Sequence, residues 1–475
     1  MALEPAPAGG ASSSSPPAIR VVETVFVQPS PSPSDPAAPP ESSLPLTFFD
    51  IFWVNSPPVE RVFFYRLAPD ADVDAVLSNL KSSLSTAVRA FFPLAGRLRL
   101  AAGSAHRYEL HYRPGDGVTF TVAEYDGGKD LDELATDDAR EVAAIAPCIP
   151  PLPAGGAVLA LQATVLSGRR GLALGVAVHH AACDGAGSTH FLRTWAAAAA
   201  QRAPAPAPPV IDRSLVADPR GLYDAFYAAV PTRDESEFVK MAPDQLLATF
   251  VLSRDDLQRV KDAVAAEAAR RRGAGTPPRC SSFVAALGLV WSCYNRAKEE
   301  TSSNTTDING DGDGGRACLL FAVDHRSRTN PPLPDTYLGN CVGPAFALAP
   351  RDDGVAGGLF AACAAVAASI QEAVGEFGTP AMDAWMERVR EVSAMGPLSV
   401  AGSPRFRVYE MDFGFGAPAK VDIVSVARTG AVAVAESRSG EGGGMEVGVS
   451  LRPRGMDAFR NCFAEAIAWL HAGAE

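Results

Sequence analysis

The 475-residue chain holds eight cysteines, at 148, 183, 280, 293, 318, 341, 363 and 462, and no C-x-x-C pair. Thiols scattered in this way do not form a clustered zinc site or the disulfide framework of a small secreted domain. Reduced cysteines in a cytoplasmic protein are the expectation. No Lys/Arg run of five or more is present, and acidic side chains outnumber basic ones by 54 to 42, for a net charge of −12. That balance speaks against a nucleic-acid partner, which needs basic surface to neutralise phosphates. The first residues, MALEPAPAGGASSSSPPAIR, have neither the cationic start nor the apolar run of about 7–15 residues of a secretory signal. No stretch reads as the roughly 20 apolar residues of a membrane-crossing helix, so no membrane partner is expected. A G-x-S-x-G elbow, a phosphate-binding G-x-x-x-x-G-K-[ST] loop and a strand-anchored G-x-G-x-x-G are all missing. Serine-hydrolase and nucleotide-cradle chemistries lose their usual signatures.

What is present is the composition of a globular protein, 47% hydrophobic and 20% charged. The length suggests two domains. Residues 1–18 are rich in Pro, Ala, Ser and Gly and read as disordered. VVETVFVQPS reads as a first strand, and DVDAVLSNLKSSLSTAVRAFF as a helix with Val73, Val76, Leu77, Leu80 and Leu84 on one face. VLALQATVL and LALGVAV look like neighbouring strands across the turn SGRRG, and STHFLRTWAAAAAQ like a helix with Ser188 as its N-cap. The proline-rich RAPAPAPPV is the best boundary. It divides the chain into a first domain at 19–201, a crossover linker at 202–240 and a second domain at 241–475. Strands and helices alternate in both halves, so the expected class is α/β (α+β).

One segment concentrates chemistry: VAVHHAACDG, residues 176–185. It sits where a strand ends and a helix begins. Adjacent side chains of a strand point to opposite faces, so His179 and His180 cannot easily share one metal ion, and no second His/Cys cluster completes a zinc site. Cys183 as nucleophile is disfavoured by the neighbouring carboxylate and reads as a small buried filler. Asp184 is placed to hold local geometry through backbone N–H groups or a distant arginine, and Gly185 to permit the turn. A histidine titrating near neutrality can accept and return a proton. The spacing alone leaves His180 open between a general base and a bystander. Elsewhere, Asp307, Asn309, Asp311 and Gly312 match the start of a calcium loop, but Cys318 stands where its bidentate glutamate belongs.

HHAACDG contains H-x-x-x-D-G, and DFGFG at 412–416 resembles the D-F-G-W-G motif of the plant BAHD acyl-CoA-dependent acyltransferases. SLPLTFFDIFW (43–53) and VDHRSRTNPPLPDTYLGNC (323–341) resemble the branch acting on anthocyanin and phenolic glucosides, many of them malonyltransferases. The resemblance implies two chloramphenicol-acetyltransferase-like domains with a solvent channel between them. It implies an acyl-CoA cosubstrate, a small glycoside acceptor, no further cofactor, no metal and a monomer. His180 matches the family base, while Asp184 and Gly185 match its orienting motif. Asp412 matches a structural aspartate paired with an arginine, for which Arg326 is the candidate. Gly414 and Gly416 let the backbone turn close to the donor. Phe415 replaces the usual Trp, keeping a ring but losing the indole donor. Arg326, Arg328, Phe415 and Lys420 are the candidate acyl-CoA contacts, and Arg193 and Arg407 the further cations for a malonyl carboxylate. The alternatives are transfer of an aromatic acyl group to glucosides or amines, and a condensation domain, whose H-H-x-x-x-D-G signature HHAACDG also satisfies.

Overall fold

The computed structural model describes residues 19–31, 37–230, 241–271, 278–302, 315–350, 354–439 and 442–472. The N-terminal stretch 1–18, part of the linker and the calcium-like pattern at 307–312 lie outside them.

The antiparallel strands Leu159–Val165 and Gly171–Val178 are buried at every position, so they read as continuous apolar runs. They are the centre of a six-stranded sheet. Val118–Tyr125 and Ile19–Val27 lie on one side, and Val59–Arg66 and then Lys420–Ile423 on the other. A seven-stranded sheet follows the order Val342–Pro350, Arg316–Asp324, Leu398–Gly402, Ala431–Glu436, Met445–Leu451, Leu246–Leu252 and Arg140–Glu141. A small sheet joins Ser42–Pro45, Tyr108–Tyr112 and Arg97–Leu100.

Each large sheet carries helices. Val73–Ala90 is capped by the Asp72 side chain and buries Val73, Leu77, Leu80 and Leu84. It packs on Gly185–Ala199, whose Trp195 indole donates to the Leu80 carbonyl and the Ser83 hydroxyl, both at 3.1 Å. On the second sheet, Ser282–Ser302, Gly354–Glu376 and Pro453–Ala472 enclose Leu287, Trp291, Val366 and Phe459. Gly357–Glu376 is long and apolar enough to cross a membrane by composition, which the sequence reading did not anticipate. Its Leu359, Ala362, Cys363 and Val366 are packed in the second core.

The two halves exchange strands. Lys420–Ile423 comes from the second half and completes the first sheet against Val59–Arg66. Arg140–Glu141 comes from the first and pairs with Leu246–Leu247 in the second. The exchanged strands are riveted together: buried Arg140 grips buried Asp422 through two hydrogen bonds, at 2.8 and 3.1 Å. Packing also crosses the proline-rich boundary, since Tyr337, Leu338, Met411 and Phe413 belong to the first core. Removing one partner of a buried ion pair strands the other charge in low dielectric. Asp422→Ala is predicted to lower unfolding free energy by about 3–5 kcal/mol, read as a drop in thermal midpoint. A midpoint within about 1 °C of wild type, the shift that about 1 kcal/mol gives a chain of this size, would contradict the rivet.

Candidate active site

The His-bearing strand stops at Val178, and residues 179–184 form the turn into the helix. Asp184, not Ser188, is the N-cap: its carboxylate accepts the Gly187 N–H at 3.0 Å. Ser188 lies in the first turn and donates to the Gly185 carbonyl. Asp184 reaches further. It pairs with buried Arg326 (2.8 and 2.9 Å) and accepts the Cys341 N–H at 3.1 Å. Arg326 also donates to the Tyr337 and Gly339 carbonyls. One carboxylate thus fastens the turn to the Tyr337–Cys341 loop. His179 folds back, its Nδ1 accepting the Ala181 N–H at 3.2 Å, and burial together with His180 pushes its pKa down to about 4. Cys183 is buried, and burial raises its thiol well above the usual range, as a filler requires. Gly185 has no left-handed backbone. Its constraint is space, because a Cβ there would stand 2.4 Å from the Phe406 ring.

His180 is held by residues that the sequence reading quoted but gave no role. Its Nδ1 lies 3.1 Å from Asn340 Oδ1. The Asn340 amide cannot be flipped: its Nδ2 donates to Asp50 Oδ1 and to the His180 carbonyl, both at 2.9 Å. Asp50 is fully buried and its Oδ1 also takes the Asn340 N–H, while Thr47 and Arg213 donate to Oδ2. A carboxylate only accepts, so Nδ2 must face it, which leaves Oδ1 facing the imidazole. Nδ1 therefore carries the proton, and Nε2 keeps its lone pair. The Trp53 indole stacks on the ring at 3.8 Å and 15°, blocking rotation and offering a π face to an imidazolium as it forms. Burial pushes the His180 pKa below its ordinary 6.5, with Asp184, the Asn340 contact and Asp50 opposing. The neutral ring is the resting state near pH 7. Such an arrangement can take a proton from a hydroxyl at Nε2 and return it to a leaving group.

The second motif lies elsewhere. Asp412 accepts the Gly414 and Gly416 N–H groups, both at 2.8 Å, and pairs with Arg202. The expected partner, Arg326, is committed to Asp184. Gly414 and Gly416 have φ of 101° and 100°, conformations that favour glycine. A Cβ on Gly414 would sit 3.4 Å from Ala200, beyond the far end of the 15-residue helix that starts at Gly185. That helix is about 22 Å long at 1.5 Å per residue. Phe415 packs edge-on against Tyr65 (5.0 Å, 89°), and Tyr65 donates to the Met411 carbonyl at 2.8 Å. DFGFG thus braces the two halves at the end of that helix remote from His180. The cationic candidates are committed as well. Lys420 is buried on Asp137 and Thr249. Arg193 donates to the Phe406 carbonyl, exposed Arg328 to that of Asp324, and Arg407 pairs with Glu410.

The sequence pattern of the Transferase family matches residues 24–466. The chain belongs to that family, the BAHD acyl-CoA-dependent acyltransferases. It is 31% identical over 469 residues to a malonyl-CoA:anthocyanidin 5-O-glucoside-6''-O-malonyltransferase of Arabidopsis thaliana, covering 94% of this chain and 98% of the relative. A coumaroyl-CoA:anthocyanidin 3-O-glucoside-6''-O-coumaroyltransferase of the same plant is 28% identical over 476 residues, covering 94% and 97%. The fold matches crystalline vinorine synthase, with a TM-score of 0.65 at 19% identity over 93% of this chain and 96% of that one. As a BAHD enzyme the chain takes acyl-CoA as cosubstrate.

The brace on Nδ1 generates a prediction. Asn340→Ala frees the tautomer, and kcat should fall roughly 10- to 100-fold, the range for lost outer-shell partners, with KM for the acceptor little changed. Because protonated His180 cannot act as a base, wild-type kcat/KM should fall as pH drops, along a limb centred below 6.5. A limb centred above 6.5, or kcat unchanged in Asn340→Ala, would contradict the brace.

Proposed function

We propose that the enzyme transfers a malonyl group from malonyl-CoA to a sugar hydroxyl of a phenolic or flavonoid glucoside, with His180 as general base. The observation that carries this reading is His180 Nδ1 set against Asn340 Oδ1 while Asn340 Nδ2 is held on Asp50, which leaves Nε2 to accept a proton. The acceptor hydroxyl gives its proton to Nε2 as its oxygen attacks the thioester carbonyl. The tetrahedral adduct then collapses, the C–S bond breaks, and the imidazolium returns the proton to the departing CoA thiolate. Orientation of two substrates beside one base supplies much of the acceleration. The two Arabidopsis relatives share an anthocyanidin glucoside acceptor and the 6''-O position and differ in the donor, so the acceptor class has the broader support. The working unit is read as a cytoplasmic monomer built from 19–201 and 241–475, with 202–240 as crossover.

The test is a panel of malonyl-, acetyl- and p-coumaroyl-CoA against flavonoid glucosides, with products read by mass. Malonyl glucoside should dominate, and His180→Gln should lower the rate by about 10²–10⁴-fold, the usual worth of a positioned base. Turnover with the aromatic donor alone would overturn the donor, and an active His180→Gln would overturn the base.

A further inference from the structure

Five cations are buried among the described residues: Arg61, Arg140, Arg213, Arg326 and Lys420. Four have a carboxylate within 4 Å: Asp422 for Arg140, Asp50 for Arg213, Asp184 for Arg326 and Asp137 for Lys420. Among the described residues Arg61 finds neither an ion-pair partner nor a hydrogen-bond acceptor, and its Nε is enclosed. Burying a guanidinium without a partner is costly, and proteins do so where the charge has work to do. Burial lowers the Arg61 pKa to about 10, with Glu436 the nearest opposing charge. Glu436 does not come within ion-pair distance of it: one oxygen takes the Tyr409 N–H and the other is enclosed without a partner among the described residues.

Arg61 lines a small cavity, about 30 Å³, where the two large sheets meet. Gly402, Ser403, Phe406, Val421 and Ile423 form the walls near it. Two carboxylates also reach this lining, and both are engaged. Asp422 is held by Arg140, and Glu446 by the Tyr409 hydroxyl and the Arg438 N–H. The cavity adjoins the catalytic turn in two ways. Phe406 lies directly on Gly185 at the start of the helix, with its carbonyl tied to Arg193. Arg61 stands opposite Val176 in the sheet register, with only Ala177 and Val178 between that residue and the His179–His180 turn.

We propose that Arg61 receives the free carboxylate of a dicarboxylic acyl donor such as malonyl-CoA and so selects that donor over neutral acyl groups. The inference rests on the malonyl reading above and adds the residue that enforces it. A guanidinium binds a carboxylate bidentately, and two charge-assisted bonds in a water-poor cavity hold the acyl group in one orientation. A donor without the carboxylate leaves the guanidinium unpaired and loses that orientation. Selection therefore acts through the donor's end group, one methylene beyond the thioester carbon that the acceptor attacks.

The experiment compares malonyl-CoA with acetyl-CoA on one flavonoid glucoside, for wild type, Arg61→Met and Arg61→Lys, with thermal midpoints recorded alongside. Arg61→Met should lose malonyl-CoA efficiency roughly 100-fold more than acetyl-CoA efficiency, and Arg61→Lys should keep the charge but lose the fork, falling roughly 10-fold on the same ratio. If Arg61→Met fails to fold, the Lys variant decides through the donor ratio alone. An equal loss on both donors would mean that Arg61 only balances Glu436, which overturns the inference and leaves the malonyl reading standing. Wild type that refuses malonyl-CoA while using another donor would overturn both.

Discussion

The buried carboxylate of Asp50 is the fixed point of the active site. It has no solvent to turn to, so its two oxygens are satisfied by Thr47, Arg213 and the main chain and side chain of Asn340. Satisfying it decides the orientation of an amide, which decides the tautomer of an imidazole. The chain of consequence runs from a helix of four residues, Phe48–Ile51, through a loop 290 residues away, to the turn after a strand. None of the three can shift without leaving a buried polar group unpaired. Arg213 adds a tie to the turn itself through the Ala182 carbonyl, at 2.9 Å.

The other aspartates divide the remaining work. Asp184 caps the helix and ties the same turn to Arg326, so the catalytic turn is anchored to the Tyr337–Cys341 loop twice, at Asn340 by His180 and at Cys341 by Asp184. Asp412 acts at the opposite end of the helix, shaping two left-handed glycines and meeting Arg202 just beyond it. The exchanged strands and the Arg140–Asp422 rivet keep the two sheets in register. A 15-residue helix fixed at both ends is therefore the beam on which the site is built.

Much of this was legible in the sequence, and the failures have physical reasons. Continuous apolar runs announced the central strands, and helical spacing announced Val73–Ala90, because burial pattern is a local property. His180 stood out as chemistry, and a distant motif gave it a role. Ser188 was misplaced as N-cap because Asp184 four residues earlier is an equally good cap, and strand end and helix start share one short turn. Arg326 was assigned to Asp412 because both lie in motifs, yet Asp184 and Arg326 meet across 142 residues and Arg202 reaches Asp412 across 210. Asp50, Trp53 and Asn340 lay inside quoted segments with no signal of their function, since contact with His180 is created only by folding. Arg61 looked like one charge in an apolar strand, and an unpaired guanidinium becomes visible only once its neighbours are known.

The central claim is that Asp50, through Asn340, leaves His180 neutral with its proton on Nδ1. The direct measurement is a ring-nitrogen correlation spectrum of protein labelled with ¹⁵N-histidine near pH 7, with the His180 signals assigned by their loss in His180→Gln. The account predicts a protonated Nδ1 and an unprotonated Nε2. A proton on Nε2 with Nδ1 bare, or a doubly protonated ring at that pH, would contradict it.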